Sequence, residues 1–555
     1  MRYTKHIVLF LYMLYSAYSN ASAASSAYQN QPKHEVRAVW LTTIGGLDWP
    51  HSYSMSEASA NKQKKELTNI LDKLKCANIN TVLLQTRIRG TVIYPSSIEP
   101  WDGCMSGKPG TSPKYDPLQF VVEECHKRGM EIHAWIVAIP IGKWNGLGCK
   151  TIRSKHPKMV VRIGSDGYIN PNNPYAGKYI AGICKEVANK YDIDGIHLDY
   201  IRYPEVWKQK ISKDKGRDNI TRIVSEIHDA VKSIKPWIKM SCAPIGKYDD
   251  LSRYSSRGWN AYDKGCQDVQ TWLRTGLMDQ IYPMMYFKGN QFFPFAIDWK
   301  ENSFGKTVVP GLGIYFLSES GWPLDEIQRQ MHVSRAFGMG FAFFRNKYLC
   351  DNIKGLYEFT ANAFCTYPSL IPPMAWCSSK KPCQPKTIKV NRQRGYEIIS
   401  WERPEANPIG GCLYNVYASS KYPVDIDDAR NILAQRLKDN FITIQPNGKL
   451  FYAVTSIDRF GNESSALQEP KPEVQNFSSG SFIPNDGKRM ALPPKGSIMD
   501  ADFLILKSMS GNFVYSMPYK KTYGDISNVK EGIYSVYSIN RKDVLHRLGF
   551  LLIKR

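Results

Sequence analysis

The sequence has no Cys-x-x-Cys and no His/Cys cluster at zinc-ligand spacing, so a zinc centre is not expected. It also has no Gly-x-Ser-x-Gly elbow and no P-loop, which sets aside an activated-serine hydrolase and P-loop nucleotide chemistry. No Gly-rich phosphate turn follows the first apolar strand, and this argues against a dinucleotide-binding doubly wound sheet. Beyond the N-terminus no apolar run is long enough to span a bilayer. Acid is the scarce charge: 50 Asp and Glu against 73 Lys and Arg leave a formal net charge of +23. The cations are scattered along the chain, so nucleic acid is not an expected partner. A basic surface instead favours anionic envelope polymers or membrane surfaces. No metal or other cofactor is expected.

What is present points to several domains, because 555 residues exceed one ordinary core. Arg2 and Lys5, then "HIVLFLYMLYSAY" and the small residues "ASA" at 21–23, read as a cleaved signal segment over 1–23. An exported protein of the periplasm or cell surface is therefore expected. Among the 12 cysteines, Cys377 and Cys383 in "WCSSKKPC" are the best disulfide candidates, with Cys104 and Cys149 a poorer pair.

From residue 34 to 365 short apolar strands alternate with amphipathic helices. The strands read "VRAVWLTT", "NTVLLQTR", "MEIHAWIVA", "DGIHLDYIRY", "WIKMSCAP", "DQIYPMMYF", "KTVVPGLGIYF" and "GMGFAFFRN". Leu67, Ile70, Leu71 and Leu74 fall on one helix face, and "DPLQFVVEECHKRG" opens with Asp-Pro and closes with Gly. Eight such units predict an α/β fold, a (β/α)₈ TIM barrel. The Pro/Cys-rich stretch 366–384 reads as a linker. Alternating strands with turn residues then predict two small all-β sandwich domains, over 385–472 and 476–555.

Active sites of such barrels lie at the C-terminal ends of the strands. Those ends carry Trp40; Gln85 and Arg87; His133 and Trp135; Asp199, Arg202 and Tyr203; Tyr282 and Tyr286. One carboxylate among aromatic planes, with amide and guanidinium donors, suits a sugar: rings cover its C–H faces and polar groups read its hydroxyls. Asp199 is the expected catalytic carboxylate, with Arg202 and Tyr203 close enough to hold it ionised. The other nine are expected to bind substrate.

The motifs "EVRAVWLTT…LDWP", "NTVLLQTRIRGTVIYPSSIEPW", "HAWIVAIP", "YDIDGIHLDYIRYP" and "PGLGIY" together resemble the glycosyl hydrolase-like 10 family of exported bacterial barrels. The resemblance implies glycoside hydrolysis of a polysaccharide, with peptidoglycan glycan strands as one candidate. Thr91 stands where that family commonly has Asp. "ISWERP", "YNVYAS" and "YAVTSIDRFGNES" are similar to a fibronectin type III domain, and the tail is similar to C-terminal sorting or anchoring sandwiches. Glycoside hydrolysis normally needs a second carboxyl group, for which Asp48, Asp102, Glu205, Asp263 and Glu319 all stay open. The alternative is a non-catalytic glycan-binding or envelope protein that kept the cleft and lost one acid.

Overall fold

The computed structural model describes residues 31–393, 395–406, 408–446, 448–470, 480–492, 501–519, 523–540 and 545–555. The expected signal segment lies outside them. Contacts divide the chain into one unit that runs to Glu469 and a second that runs from Pro470 to Arg555.

The first unit is built on a ring of parallel strands. These are β1 (Arg37–Leu41), β2 (Thr81–Arg87), β3 (Glu131–Val137), β4 (Gly195–Asp199), β5 (Lys239–Cys242), β6 (Gln280–Ile281), β7 and β8 (Phe341–Phe343). Strand β7 is broken at Pro310 into Thr307–Val308 and Gly311–Leu312. Its first half pairs with β6 and its second half with β8, which in turn pairs with β1. This shared strand closes the sheet into the expected eight-stranded barrel. Every residue of β1 to β5 is buried, as befits parallel strands covered on both faces.

Local signals begin and end the helices as read. Ser56 and Ser59 form a capping box for Glu57–Cys76, which buries Leu67, Leu71 and Leu74 against the barrel. Asp116 caps Pro117–Lys127, with Pro117 as its first residue. Inside the ring, Trp40, Leu83, Trp135, Ala243, Tyr282, Val309 and Ala342 pack together. Two glycines make room for large rings inside the barrel. A Cβ at Gly195 would lie 2.6 Å from the His133 ring, and one at Gly311 would lie 2.9 Å from the Trp40 ring.

Behind the barrel, sheets of three strands (Lys386–Gln393, Tyr396–Glu402, Phe441–Ile444) and four strands (Leu413–Ser419, Ile432–Leu437, Phe451–Ile457, Leu467–Gln468) form a sandwich. Ile388, Ile399 and Trp401 from one sheet meet Tyr414, Val416, Tyr452 and Val454 from the other. The second unit has a four-stranded antiparallel sheet and a two-stranded one around Met490, Leu504, Leu506, Met517, Val536 and Leu551.

The cysteine pairing expected from the sequence is not found. Cys377 and Cys383 are exposed free thiols, and Cys104 and Cys149 are buried ones. Cys377 instead lies 3.7 Å from an Asp279 carboxylate oxygen.

Candidate active site

A cleft of about 530 Å³ opens at the C-terminal ends of the barrel strands. Its floor carries Asp199, the last residue of β4. Tyr200 follows in the left-handed region, with φ 51°, a conformation uncommon outside glycine. That turn brings the Tyr200 amide to 2.7 Å from one Asp199 oxygen, while the Trp135 indole N–H donates to the other at 3.1 Å. Each carboxylate oxygen thereby accepts one hydrogen bond from the protein.

Burial pushes the Asp199 carboxyl up from its ordinary value, against the lowering effects of the Arg202 charge and these two hydrogen bonds. Arg202 does favour the ionised form, as expected, but burial outweighs it, and the expectation that Tyr203 helps is corrected. Tyr203 directs its hydroxyl to Asn172 and Asn219 instead. Arg202 stacks over the Tyr200 ring at 4.4 Å and ion-pairs with Glu205 at 2.8 Å. A carboxyl shifted upward is suited to holding a proton for a leaving group.

Of the residues expected to bind substrate, Gln85, Trp135 and Tyr286 line the cleft beside Asp199. The Gln85 carbonyl oxygen accepts from the amides of Thr43 and Ile44, which orients its NH2 group, free of protein partners among the described residues. Tyr286 packs against Tyr315 and Phe344, and burial followed by the Asp199 charge pushes its phenol up.

The others lie outside the cleft lining. Arg87 is fully buried in a two-pronged pair with Glu99 (2.7 and 2.9 Å) and also donates to the Ala138 carbonyl. It ties the ends of β2 and β3 together. His133 lies 3.3 Å from Glu131, deeper in the barrel, and Tyr282 donates to Gln280. Trp40 donates to His197, whose other ring nitrogen meets Ser241. Arg202 and Tyr203 are buried behind the β4 turn.

The cleft also holds Arg89, Tyr200 and Arg345, the open acid candidate Glu205, and two residues that the reading of strand ends missed, Asp166 and Tyr168. Asp166 and Tyr168 come from a three-stranded side sheet (Pro140–Lys143, Val160–Ile163, Asp166–Ile169) inserted after β3. Two of the open second-acid candidates are committed elsewhere. Asp48 is fully engaged by Thr42, Arg345 and the Lys347 amide, and Asp102 caps the helix Gly103–Ser106. Thr91 donates to Asp102 at 2.6 Å and does not line the cleft, so its departure from the family pattern leaves the cleft lining untouched.

Replacing Trp135 with Phe removes one hydrogen bond that favours ionised Asp199, so the carboxyl moves further up. With Asp199 as the proton donor, the alkaline limb of the pH–rate profile moves to higher pH. Measured pH profiles of kcat/KM check this; an unmoved limb counts against the assigned bond.

Among the described residues no group of three His, Cys, Asp or Glu is placed to hold a metal ion, and no helix is long and apolar enough to cross a membrane.

Comparisons with known proteins show what the chain as a whole is similar to. Glycosyl hydrolase YngK of Bacillus subtilis is 29% identical over 483 residues, covering 79% of this chain and 93% of that protein. Glycosyl hydrolase DigH of Escherichia coli is 31% identical over 304 residues, covering 48% and 69%. Among solved structures, the PgaB (BpsB) glycoside hydrolase domain of Bordetella bronchiseptica aligns at TM-score 0.42 and 13% identity, covering 59% of this chain and 98% of that one. At that score it adds nothing to the fold established by the strand ring. The family description glycosyl hydrolase-like 10 matches residues 35–318, just over half of the sequence, and the chain belongs to that family.

Proposed function

We propose that the protein hydrolyses glycosidic bonds of a polysaccharide in this cleft, with Asp199 as general acid and Glu205 as the second carboxyl group. One observation carries the reading: a buried, doubly hydrogen-bonded carboxyl shifted upward shares a cleft with a second, half-exposed carboxylate. Asp199 donates its proton to the leaving oxygen while Glu205 serves as nucleophile or activates water. Trp135, Tyr286 and Tyr200 offer ring faces to a sugar, and the Gln85 amide offers donors to its hydroxyls. Glu205 is preferred to Asp166 because its charge is felt at Asp199; both acids are tied to a cation, Glu205 to Arg202 and Asp166 to Lys143.

Export of the chain is part of this proposal and rests on the signal-like segment 1–23. Peptidoglycan glycan strands are one candidate substrate. A reducing-end assay of purified protein on stripped peptidoglycan glycans, host-type glycans and plant polysaccharides tests the hydrolysis and its substrate, and fractionation of expressing cells tests export. Glu205→Gln is expected to lower turnover by about 10²–10³-fold and Asp166→Asn by less than about tenfold. The reverse order would reassign the second acid. No reducing ends from any substrate would leave the cleft as a binding site only.

A further inference from the structure

A second pocket, of about 190 Å³, lies around the other end of the barrel strands, away from the cleft. It is lined by His34 and Glu35 before β1, by Lys300, by Gly305, Lys306 and Thr307 at the start of β7, by Arg335 and Met339, and by Pro372, Pro373 and Trp376 of the linker. Its polar groups are mostly nitrogen bases. Arg335 is accounted for by bonds to Glu35 and the Phe364 carbonyl, and Glu35 is shared between Arg335 and Arg37. The other three basic side chains have no such partners.

Lys306 is only 8% exposed, yet its ammonium makes no hydrogen bond or ion pair among the described residues. It sits 4.3 Å over the Trp376 ring, which is pinned by its own N–H bond to Asp279 at 2.8 Å. Asp279 is the acid that acts on Lys306, but it is already taken by Lys232, Trp376 and the Met240 amide. Lys232 adds a further repulsive charge. His34 and Lys300 line the same pocket and also have no hydrogen-bond partner among the described residues. His34 stands exposed at the edge of the pocket, and its imidazole offers an N–H in either protonation state.

An ammonium with three donors and no protein acceptor, on a side chain buried except where it meets this pocket, is left to an acceptor that enters the pocket from solvent, such as an anion. We infer that this pocket binds a small tetrahedral oxyanion of the phosphate class, held by Lys306, Lys300 and His34. The pocket has room for such an anion with a few waters, and none for a polysaccharide strand. The site is independent of the hydrolytic reading of the cleft.

The test is calorimetric titration of inorganic phosphate into the full chain, with sodium chloride balancing ionic strength. Saturable binding at one site is expected in the wild type. Lys306→Met should weaken it at least tenfold and Lys300→Met several-fold, while glycan turnover stays unchanged in both. Lys306→Arg should retain binding, which separates lost charge from lost folding. Sulfate competing with phosphate supports the assignment. Heats no larger than those of chloride, equal affinity in all three variants, or acetate binding as tightly as phosphate would each overturn it.

Discussion

Asp199→Asn is expected to lower release of reducing ends by about 10²–10⁴-fold, the usual contribution of a positioned proton donor, while glycan binding remains measurable. Asn keeps the shape and one acceptor oxygen but has no proton to give. Wild-type turnover should fall as pH rises through the Asp199 pKa, which burial has moved upward; the residual activity of the Asn variant should lack that limb. The same shift makes a stability statement. A carboxyl whose folded pKa is raised costs stability once pH exceeds its unfolded value, and the full cost is reached above the folded one. Asp199→Asn should therefore melt no lower than wild type at neutral pH, with the difference shrinking as pH falls toward 4. Unchanged turnover in this variant would remove Asp199 from the mechanism. Lost turnover together with a collapsed melting curve would point to a structural role instead.

Arg436→Ala should cost about 3–5 kcal/mol in chemical denaturation, because it breaks a buried charge network from one side. Arg436 reaches from the sandwich into the bottom of the barrel, where it meets Glu131 at 2.9 Å and also pairs with Asp194. Lys239 meets Glu131 at 2.7 Å, and His126 meets Asp194 at 2.8 Å. Burial alone would push the Glu131 carboxyl up; Lys239 and Arg436 outweigh it and bring it down from 4.5 to about 2. Burial opposes the Asp194 shift too, and Arg436 and His126 overcome it to hold that carboxyl well below its ordinary value. A carboxyl with a lowered folded pKa contributes stability above its unfolded pKa and loses it as pH falls through the folded one. For Glu131 that window runs from about 4.5 down to about 2. In the variant the two acids keep less compensation, so acid unfolding should begin at higher pH. Denaturation curves at pH 7 and pH 4 measure both effects. A loss below 1 kcal/mol would mean that the network is solvated.

The barrel strands could be read from the chain because each is an apolar run flanked by helix caps, and a parallel strand buried on both faces needs little else. Asp199 stood out because a buried strand does not end in a carboxylate without a reason. The cleft wall was harder. His133, Trp135 and Val137 share one face of β3 by simple alternation, yet only Trp135 and Val137 line the cleft. Alternation tells inward from outward, not how deep a side chain sits among the stacked layers of a closed ring. Arg87 shows the same limit: its charge suggested a substrate contact, and its full burial against Glu99 became visible only once β2 and the following loop were folded together. Glu205 could not be chosen from the sequence, since it lies in a loop whose path depends on the left-handed turn at Tyr200.

By itself the amino-acid order determined the eightfold strand–helix alternation, the β-rich region behind it and the polar end of β4, all of which follow from local burial and backbone preference. The tertiary structure alone decided which strand-end groups reach the cleft, how Asp199 is shifted, and which acids line the cleft with it. Those outcomes depend on layer depth, on desolvation and on charges brought together from residues far apart in the chain, and no local pattern encodes them.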